Sequence, residues 1–480
     1  MLDTTPAEAD ELVERLVDAR LLQVSGPSRY RFHDLVRVYA RERADAEDAA
    51  ADRAAALRRA LGGWLGLAER AHRLTNGGDY AIIHGSAERR LPAGHGELLA
   101  DPLAWLETER LALVAAVRQA AAIDADELAW DLAQSCVTLF ATRWYLDDWL
   151  TCNRHALGVT RRAGNRRGEA AILCGFGCWH EAHGRYRAAL RCFQRAAALF
   201  GGLGDRHGCA LGHAYVSHIA RRLGRFDLAL ASADLATVAS REVGDRAAEA
   251  SALRSTAQTH LALGNTHLVQ GLLDEALAML VASGNLRDQA QVLHEVGELH
   301  LRRGALDEAE VAFGRVLTIV RELGDRIGEA FALQGIGVCL IRGGRPDLAE
   351  ARLSDALRLA RETGIRFIEG RVLVALGEAA QALRRPAQAA TRLLAAVAVS
   401  QSLGSPLWEA RALHRLGAVH RDAGDPAAAG AAWQRALELF DALGAAEVGQ
   451  VTRELAELTG LRPPASLAAA YERECATAGS

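Results

Sequence analysis

The chain has 480 residues, half of them hydrophobic, with 56 Lys and Arg against 60 Asp and Glu and a formal net charge of −4. That balance argues against a general affinity for nucleic acid or anionic membrane. No apolar run approaches the roughly 20 residues of a spanning helix, and the acidic, polar start Met1-Leu2-Asp3-Thr4 does not resemble a signal peptide, so a cytoplasmic protein is the default expectation.

In chain order, Ala7 to Leu22 reads as an amphipathic helix, with Arg20-Leu21-Leu22-Gln23-Val24 running into a strand. Gly26-Pro27-Ser28 reads as a turn, Arg29-Tyr30-Arg31-Phe32 as a second strand and His33 to Ala44 as a helix. Helix, hairpin, helix is the end of a winged helix, so residues 1–48 are assigned as a winged-helix remnant and 49–125 as a helical linker.

From there the chain repeats. Glycine returns every 40 residues at Gly164, Gly204, Gly244, Gly284, Gly324, Gly364, Gly404 and Gly444. A second series runs half a repeat out of phase at Gly184, Gly224, Gly264, Gly304, Gly344 and Gly424, with Arg384 the one substitution. A fixed period of this length marks a stack of supersecondary units. Each half carries apolar residues at the spacing of one helical face, as in Leu333, Ile336, Gly337 and Leu340, then Ala349, Leu353 and Ala356. Small residues at Gly177, Ser217, Ala257, Gly297, Gly337, Gly377 and Gly417 are expected where the first helix approaches its partner, met by Ala189, Ala229, Ala309, Ala349, Ala389 and Ala429 on the second. Asp205, Asp245, Asp325 and Ser405 suit N-caps of the first helix, and Pro346, Pro386 and Pro426 suit the first turn of the second.

These residues resemble the tetratricopeptide repeat, although the period exceeds its usual length of about 34 residues. The fold class that follows is all-α apart from the hairpin: a tetratricopeptide-like, right-handed superhelical solenoid of 40-residue helical hairpins behind the winged-helix remnant. Eight such units are assigned to 126–446, the first degenerate, with 447–459 as a capping helix and the rest of 447–480 as a tail.

The segment Arg29 to Ala40 resembles the winged-helix part of NB-ARC-type STAND regulators, in particular the actinobacterial branch that includes the Streptomyces antibiotic regulatory proteins. Trp105-Leu106-Glu107 through Ala116 is similar to the segment joining that part to the repeats. The resemblance implies that His33, within Phe32-His33-Asp34, corresponds to a histidine that contacts a bound nucleotide's phosphate. The partners of that site are missing here: there is no GxxxxGK[ST], and the chain contains no lysine to complete one. A packed histidine that stabilises the hairpin is the favoured reading of His33. The chain reads as the sensor part of such a regulator, without its motor and output domains.

No nucleophile–base pair is visible, so catalysis, a cofactor and a metal site are not expected. Cys174, Cys178, His180 and His183 are too far apart in helical projection to ligate one ion, and repeat packing accounts for them. The candidate site is the concave face lined by the first helix of each repeat: His218, Arg221, Arg222, Arg254, Gln258, His294, Glu298, Arg302, Gln334, Arg342, Arg371, Glu378, Arg411, His414 and Arg421. Its surplus of arginine suits an acidic peptide, a protein segment or a small anionic effector. No membrane is implied, nucleic acid enters only indirectly, and a partner chain is a possible route to an oligomer. The alternatives are a free-standing adaptor and, less favoured, a regulator that contacts DNA itself.

Overall fold

The computed structural model describes residues 5–26, 29–76 and 83–459. Pro27 and Ser28 of the expected turn, and the tail beyond Thr459, lie outside the described residues. The chain divides into two compact units, with the boundary inside one helix at Ile172/Leu173.

The N-terminal unit begins with α1 (Pro6–Asp18), β1 (Leu22–Gly26), β2 (Arg29–Phe32) and α2 (Asp34–Glu47). Helix α1 ends earlier than its amphipathic pattern because Arg20 turns left-handed at φ +58° and the Leu21 amide bonds back to the Leu16 carbonyl at 2.9 Å. The two strands pair antiparallel, Leu22 opposite Phe32 and Val24 opposite Tyr30. His33 departs from expectation. It is the exposed N-cap residue of α2, makes no capping bond, and is not packed into the hairpin.

Next come α3 (Ala50–Asn76), α4 (His95–Leu98), α5 (Pro102–Thr108), α6 (Arg110–Ala122), α7 (Asp126–Ser135), α8 (Val137–Arg143) and α9 (Leu146–Arg162). Burial of Leu61, Leu65, Leu106, Leu113, Val117 and Trp130 forms the unit's core. The extended stretch from Ile83 is tied to it by the buried Asp131, which lies 3.0 Å from His84 Nδ1 and accepts from the Gly85 amide at 2.7 Å. The degenerate hairpin at 126–164 has its first helix broken at Cys136, between α7 and α8, and groups with this unit.

The boundary helix α10 (Arg166–Ala182) leads into α11 (Tyr186–Leu203), and six further hairpins follow: α12 (Arg206–Arg222) with α13 (Phe226–Val243), α14 (Arg246–Leu263) with α15 (Thr266–Ser283), α16 (Leu286–Arg303) with α17 (Leu306–Glu322), α18 (Arg326–Arg342) with α19 (Pro346–Glu362), α20 (Arg366–Ala382) with α21 (Pro386–Leu403), and α22 (Pro406–Asp422) with α23 (Pro426–Leu443). The final helix α24 (Val448–Thr459) packs on α23. Together the hairpins form a right-handed solenoid of the tetratricopeptide type.

The glycine series has a single backbone cause. All eight glycines of the first series and all six of the second are left-handed, with φ between 60° and 84°. The residue after each returns its amide to the carbonyl five positions back, as Asp205 does to Phe200 at 3.0 Å and Arg225 to Ala220 at 2.8 Å. This 6→1 closure ends the helix and needs a residue that tolerates positive φ. Arg384 holds the same conformation at φ +58° without glycine's freedom, and Arg385 still bonds Ala380 at 2.9 Å.

The caps follow suit at Asp205, Asp245 and Asp325, whose side chains accept from Gly208, Ala248 and Gly328. Ser405 is the exception: it holds the N-cap position, but its buried hydroxyl makes no capping bond. Pro346, Pro386 and Pro426 occupy the first turn of their helices as anticipated.

The small residues meet something other than the alanines expected. A Cβ on Gly177, Gly297, Gly337, Gly377 or Gly417 would collide with Phe193, Phe313, Leu353, Leu393 or Trp433, each sixteen residues on. Glycine therefore makes room for a large knob of the second helix. In the second hairpin the sizes reverse, with Ser217 opposite the register position of Ala233, and Ser217 uses the space to reach Ser255 Oγ at 2.7 Å. A further contact, not apparent in the apolar pattern, ties several second helices to the next first helix. Arg241 with Glu249, Arg321 with Glu329 and Arg361 with Glu369 repeat one ion pair eight residues apart.

Curvature returns the array to itself. A Cβ on Gly184 would strike Leu403, and one on Gly224 would strike Leu443, about five repeats ahead. The Ala446 amide reaches the Ala262 carbonyl at 3.4 Å. The inner face of this unit therefore encloses a cavity.

Candidate ligand groove

A cavity of about 280 Å³ opens on the inner face, lined almost wholly by first helices. The spacing of those helices explains the lining. Residues 40 apart hold the same place on successive helices, so the wall is built of register columns: Arg287, Ile327, Phe367 and Leu407; Gln291, Phe331, Arg371 and Arg411; His218, Gln258 and Glu298; Arg222, Ala262 and Arg302.

Ten of the anticipated residues line this cavity: His218, Arg221, Arg222, Arg254, Gln258, His294, Glu298, Arg302, Arg371 and Arg411. The other five lie outside it, four of them with local partners. Arg342 Nη1 donates to the Leu301 carbonyl at 2.7 Å, Glu378 pairs with Arg415 at 2.5 Å, and His414 Nε2 lies 2.5 Å from Glu454. Arg421 bonds Asp422 at 2.9 Å, and Gln334 is buried. Sequence reasoning passed over the aromatic wall of Phe331, Phe367 and Trp408. Its signal was available, because Phe367 and Phe331 stand in the two columns that already carry Arg287 and Arg371.

Seven arginines line the cavity against the three acids Glu295, Glu298 and Asp325. Five of the seven are paired. Arg222 lies 3.6 Å from Glu181, Arg287 lies 3.6 Å from Asp325, and Arg371 bonds Glu298 across 73 residues. Arg302 and Arg411 share Glu447, at 3.6 and 2.7 Å. Arg371 also lies over the Trp408 and Phe331 rings, 4.7 and 5.6 Å from their centroids, and Arg222 lies 4.0 Å over Phe367. Such stacking suits a planar guanidinium on an aromatic face.

The remaining two, Arg221 and Arg254, form no ion pair among the described residues. Glu295, the one lining acid in no arginine ion pair, accepts from Gln258 Nε2 at 2.6 Å. Burial, with Arg222, Arg254 and Arg371 close by, pulls the Arg221 guanidinium down to about 9 against the opposing charge of Glu295. A desolvated cation with more like than opposite charge around it is stabilised by a further anion.

The carboxylates stay ionised. Burial opposes it, but Arg371, His294 and Arg302 hold Glu298 at about 2, and His218 with Arg222 and Arg221 does the same for Glu181. Burial pushes His218 down to about 4, against the pull of Glu181 Oε1 at 2.9 Å. Burial likewise lowers His294, which is 7% exposed and has no hydrogen-bond partner on either ring nitrogen. Nothing in this wall pairs a nucleophile with a base, and among the described residues no group of three or more His, Cys, Asp or Glu is placed to hold a metal ion. Burial pushes the Cys178 and Cys339 thiols up to about 12.

Comparison with known proteins follows the same lines. Residues 288–362 match the tetratricopeptide-repeat family model. The regulatory protein AfsR of Streptomyces griseus is 32% identical over 282 residues, 58% of this chain and 29% of that protein. AfsR of Streptomyces coelicolor is 29% identical over 297 residues, 59% of this chain and 29% of that protein. The chain thus spans less than a third of the length of these relatives. Among solved structures, a STAND protein with a tetratricopeptide-repeat sensor from Pyrococcus horikoshii shares the fold at TM-score 0.50 and 13% identity, over 93% of this chain and 60% of that one. A Rap protein complexed with Competence and Sporulation Factor does so at TM-score 0.51 and 12% identity, over 72% of this chain and 99% of that one. The Rap conjugation regulator of plasmid pLS20, in complex with the Phr* peptide, does so at 0.52 and 10%, over 73% and 97%. No described helix is long and apolar enough to cross a membrane. Sequence and fold agree on a tetratricopeptide-repeat array, and 58% of the chain is similar in sequence to part of the AfsR regulatory protein.

Proposed function

We propose that the chain is the ligand-sensing repeat region of a STAND-type transcriptional regulator, a non-catalytic scaffold that captures a short peptide or small effector in its inner cavity. The observation that carries this reading is the excess of guanidinium over carboxylate in the cavity wall, seven arginines against three acids, with Arg221 and Arg254 in no ion pair. Homology to AfsR supports the regulatory context, and the Rap structures supply a precedent in which the same repeat fold holds a factor or a peptide.

The mechanism follows from the architecture. Each repeat touches its neighbours, so small rotations add along the stack. Glu447, just before α24, is gripped by Arg302 and Arg411, which themselves line the cavity. An effector that prefers one setting of these contacts shifts the array toward it by its difference in affinity between the two settings.

The test is native mass spectrometry of the chain after incubation with fractionated peptide and metabolite extracts, with the R221E/R254E variant as control. A bound species released on denaturation and absent from the variant is the expected result. Extracts that yield no species bound to the wild-type chain alone refute the reading.

A further inference from the structure

We propose that the effector carries an oxyanion, a carboxylate or a phosphate, on an aromatic or branched apolar body. The oxyanion sits on Arg221 and Arg254, and the body lies against Phe331, Phe367 and Trp408. The inference rests on the sensor reading above and specifies what it senses.

Three observations carry it. The first is the pairing of the arginines: five of the seven in the wall are engaged by Glu181, Asp325, Glu298 or Glu447, leaving one pair on neighbouring helices with none. Guanidinium groups in no ion pair, half-buried in a cavity wall where arginines outnumber acids, select an oxyanion and reject a cation. The second is the aromatic surface, where Phe367 and Trp408 meet edge to face at 6.1 Å, already partly capped by Arg371. Rings held in this way present an apolar face at the cavity with little rotamer freedom left to lose. The third is His294. It is 7% exposed, faces the cavity and stands 5.6 Å from the Phe331 ring; neither ring nitrogen makes a hydrogen bond, and Nε2 lies 3.6 Å from Glu298 Oε1. Buried polar groups are nearly always satisfied, so a ring whose Nδ1 has no partner and whose Nε2 stands beyond hydrogen-bond distance of Glu298 points to a ligand amide or hydroxyl between the oxyanion and the apolar body.

The cavity, at about 280 Å³, is at the small end of ligand sites. It suits the C-terminal end of a peptide, with its carboxylate, last amide and last side chain, or a free small acid of the same pattern. Both share the chemistry named here.

The probes are N-acetyl-Ala-Phe as free acid and as C-terminal amide, and phenyl phosphate beside phenol, each titrated calorimetrically into the full chain. The free acid is expected to bind at least tenfold tighter than the amide, or phenyl phosphate at least tenfold tighter than phenol. That preference should vanish in R221M/R254M at unchanged helicity. Preference for the peptide acid identifies a peptide terminus, and preference for the phosphate a small phosphorylated acid. Either supports the proposal.

Equal affinity for acid and neutral probes, no saturable binding of any probe, or an acid preference that survives R221M/R254M overturns it. The wild-type contrast stands even if the double variant does not fold. If an extract species binds but acids hold no advantage, the sensor reading survives and this inference fails. If acids are preferred but extracts yield nothing, the reverse holds.

Discussion

The pairing of Gly337 with Leu353 shows how the repeats set their spacing, and it can be tested quantitatively. A Cβ on Gly337 would lie 2.5 Å from Leu353 Cδ2, 2.6 Å from its Cγ and 3.2 Å from its Cδ1. Leu353 is fully buried and has no room to withdraw. Gly337→Ala gains about 1 kcal/mol of helix propensity, whereas overpacking of this kind costs about 1–3 kcal/mol. The collision reaches three atoms of a buried leucine, so the upper part of that range applies and the expected net loss is about 1–2 kcal/mol. Leu353→Ala alone leaves a cavity and costs about 2–5 kcal/mol. The double variant relieves the collision but keeps the propensity gain, so it should be less destabilised than the sum of the two by about 2–3 kcal/mol, within the range seen for residues in contact. The second hairpin already contains this arrangement, with Ser217 and Ala233 at the same two places. The assay is guanidinium unfolding followed by circular dichroism, with hydrogen exchange of α18 and α19 to localise the loss, because a repeat array opens by neighbouring units. A neutral or stabilising Gly337→Ala, or strict additivity in the cycle, would refute the reasoning.

Other outcomes are accessible with the same protein. Arg384→Gly relieves a left-handed arginine that costs about 1–2 kcal/mol, less the added freedom of the unfolded chain. Its unfolding midpoint should rise by an amount equivalent to about 0.5–1 kcal/mol, and an unchanged or lower midpoint counts against the strain. Acidification should destabilise the groove in two stages. His218 is depressed when folded to about 4, so the unfolded chain takes up its proton first and stability falls as pH drops from about 6.5 toward 4. Glu181 and Glu298 are depressed to about 2, so their contribution is complete above the ordinary carboxylate range and is lost as pH falls through it toward 2. Thermal melts of wild type and His218→Asn across this range should show a shallower first stage in the variant, and identical profiles would remove His218 from the account. Cys136 and Cys339, both buried and with thiols pushed up to about 12, should resist a thiol reagent in the folded chain at neutral pH and react on unfolding, as mass mapping of modified peptides would show.

Much of the fold is legible in one dimension because its causes are local. A left-handed closure every 40 residues calls for glycine wherever helices end, and Gly204 or Gly224 answers to its own φ. Asp325 caps the helix that follows it, and Pro346 opens its helix in the first turn. Helical spacing likewise put His218, Arg254 and Arg371 on one face, which is why ten of the expected groove residues line one cavity. What the glycines faced across the hairpin was not legible. Small-against-small and small-against-large give the same apolar pattern, and only packing shows that Gly417 receives Trp433 rather than an alanine.

The sequence by itself determined the repeat, its period, its helix ends and the arginine-rich inner face, since each depends on residues within about one turn of one another. Tertiary structure decided which of those arginines are spoken for. Glu298 reaches Arg371 from 73 residues away, Glu447 binds Arg302 and Arg411 together, and Phe367 comes to lie under Arg222. These pairings depend on the accumulated rotation of the stack, a sum over many small angles that no single segment encodes. That rotation engages five guanidinium groups in ion pairs and leaves Arg221 and Arg254 in none, a distinction among chemically identical side chains that the sequence does not carry.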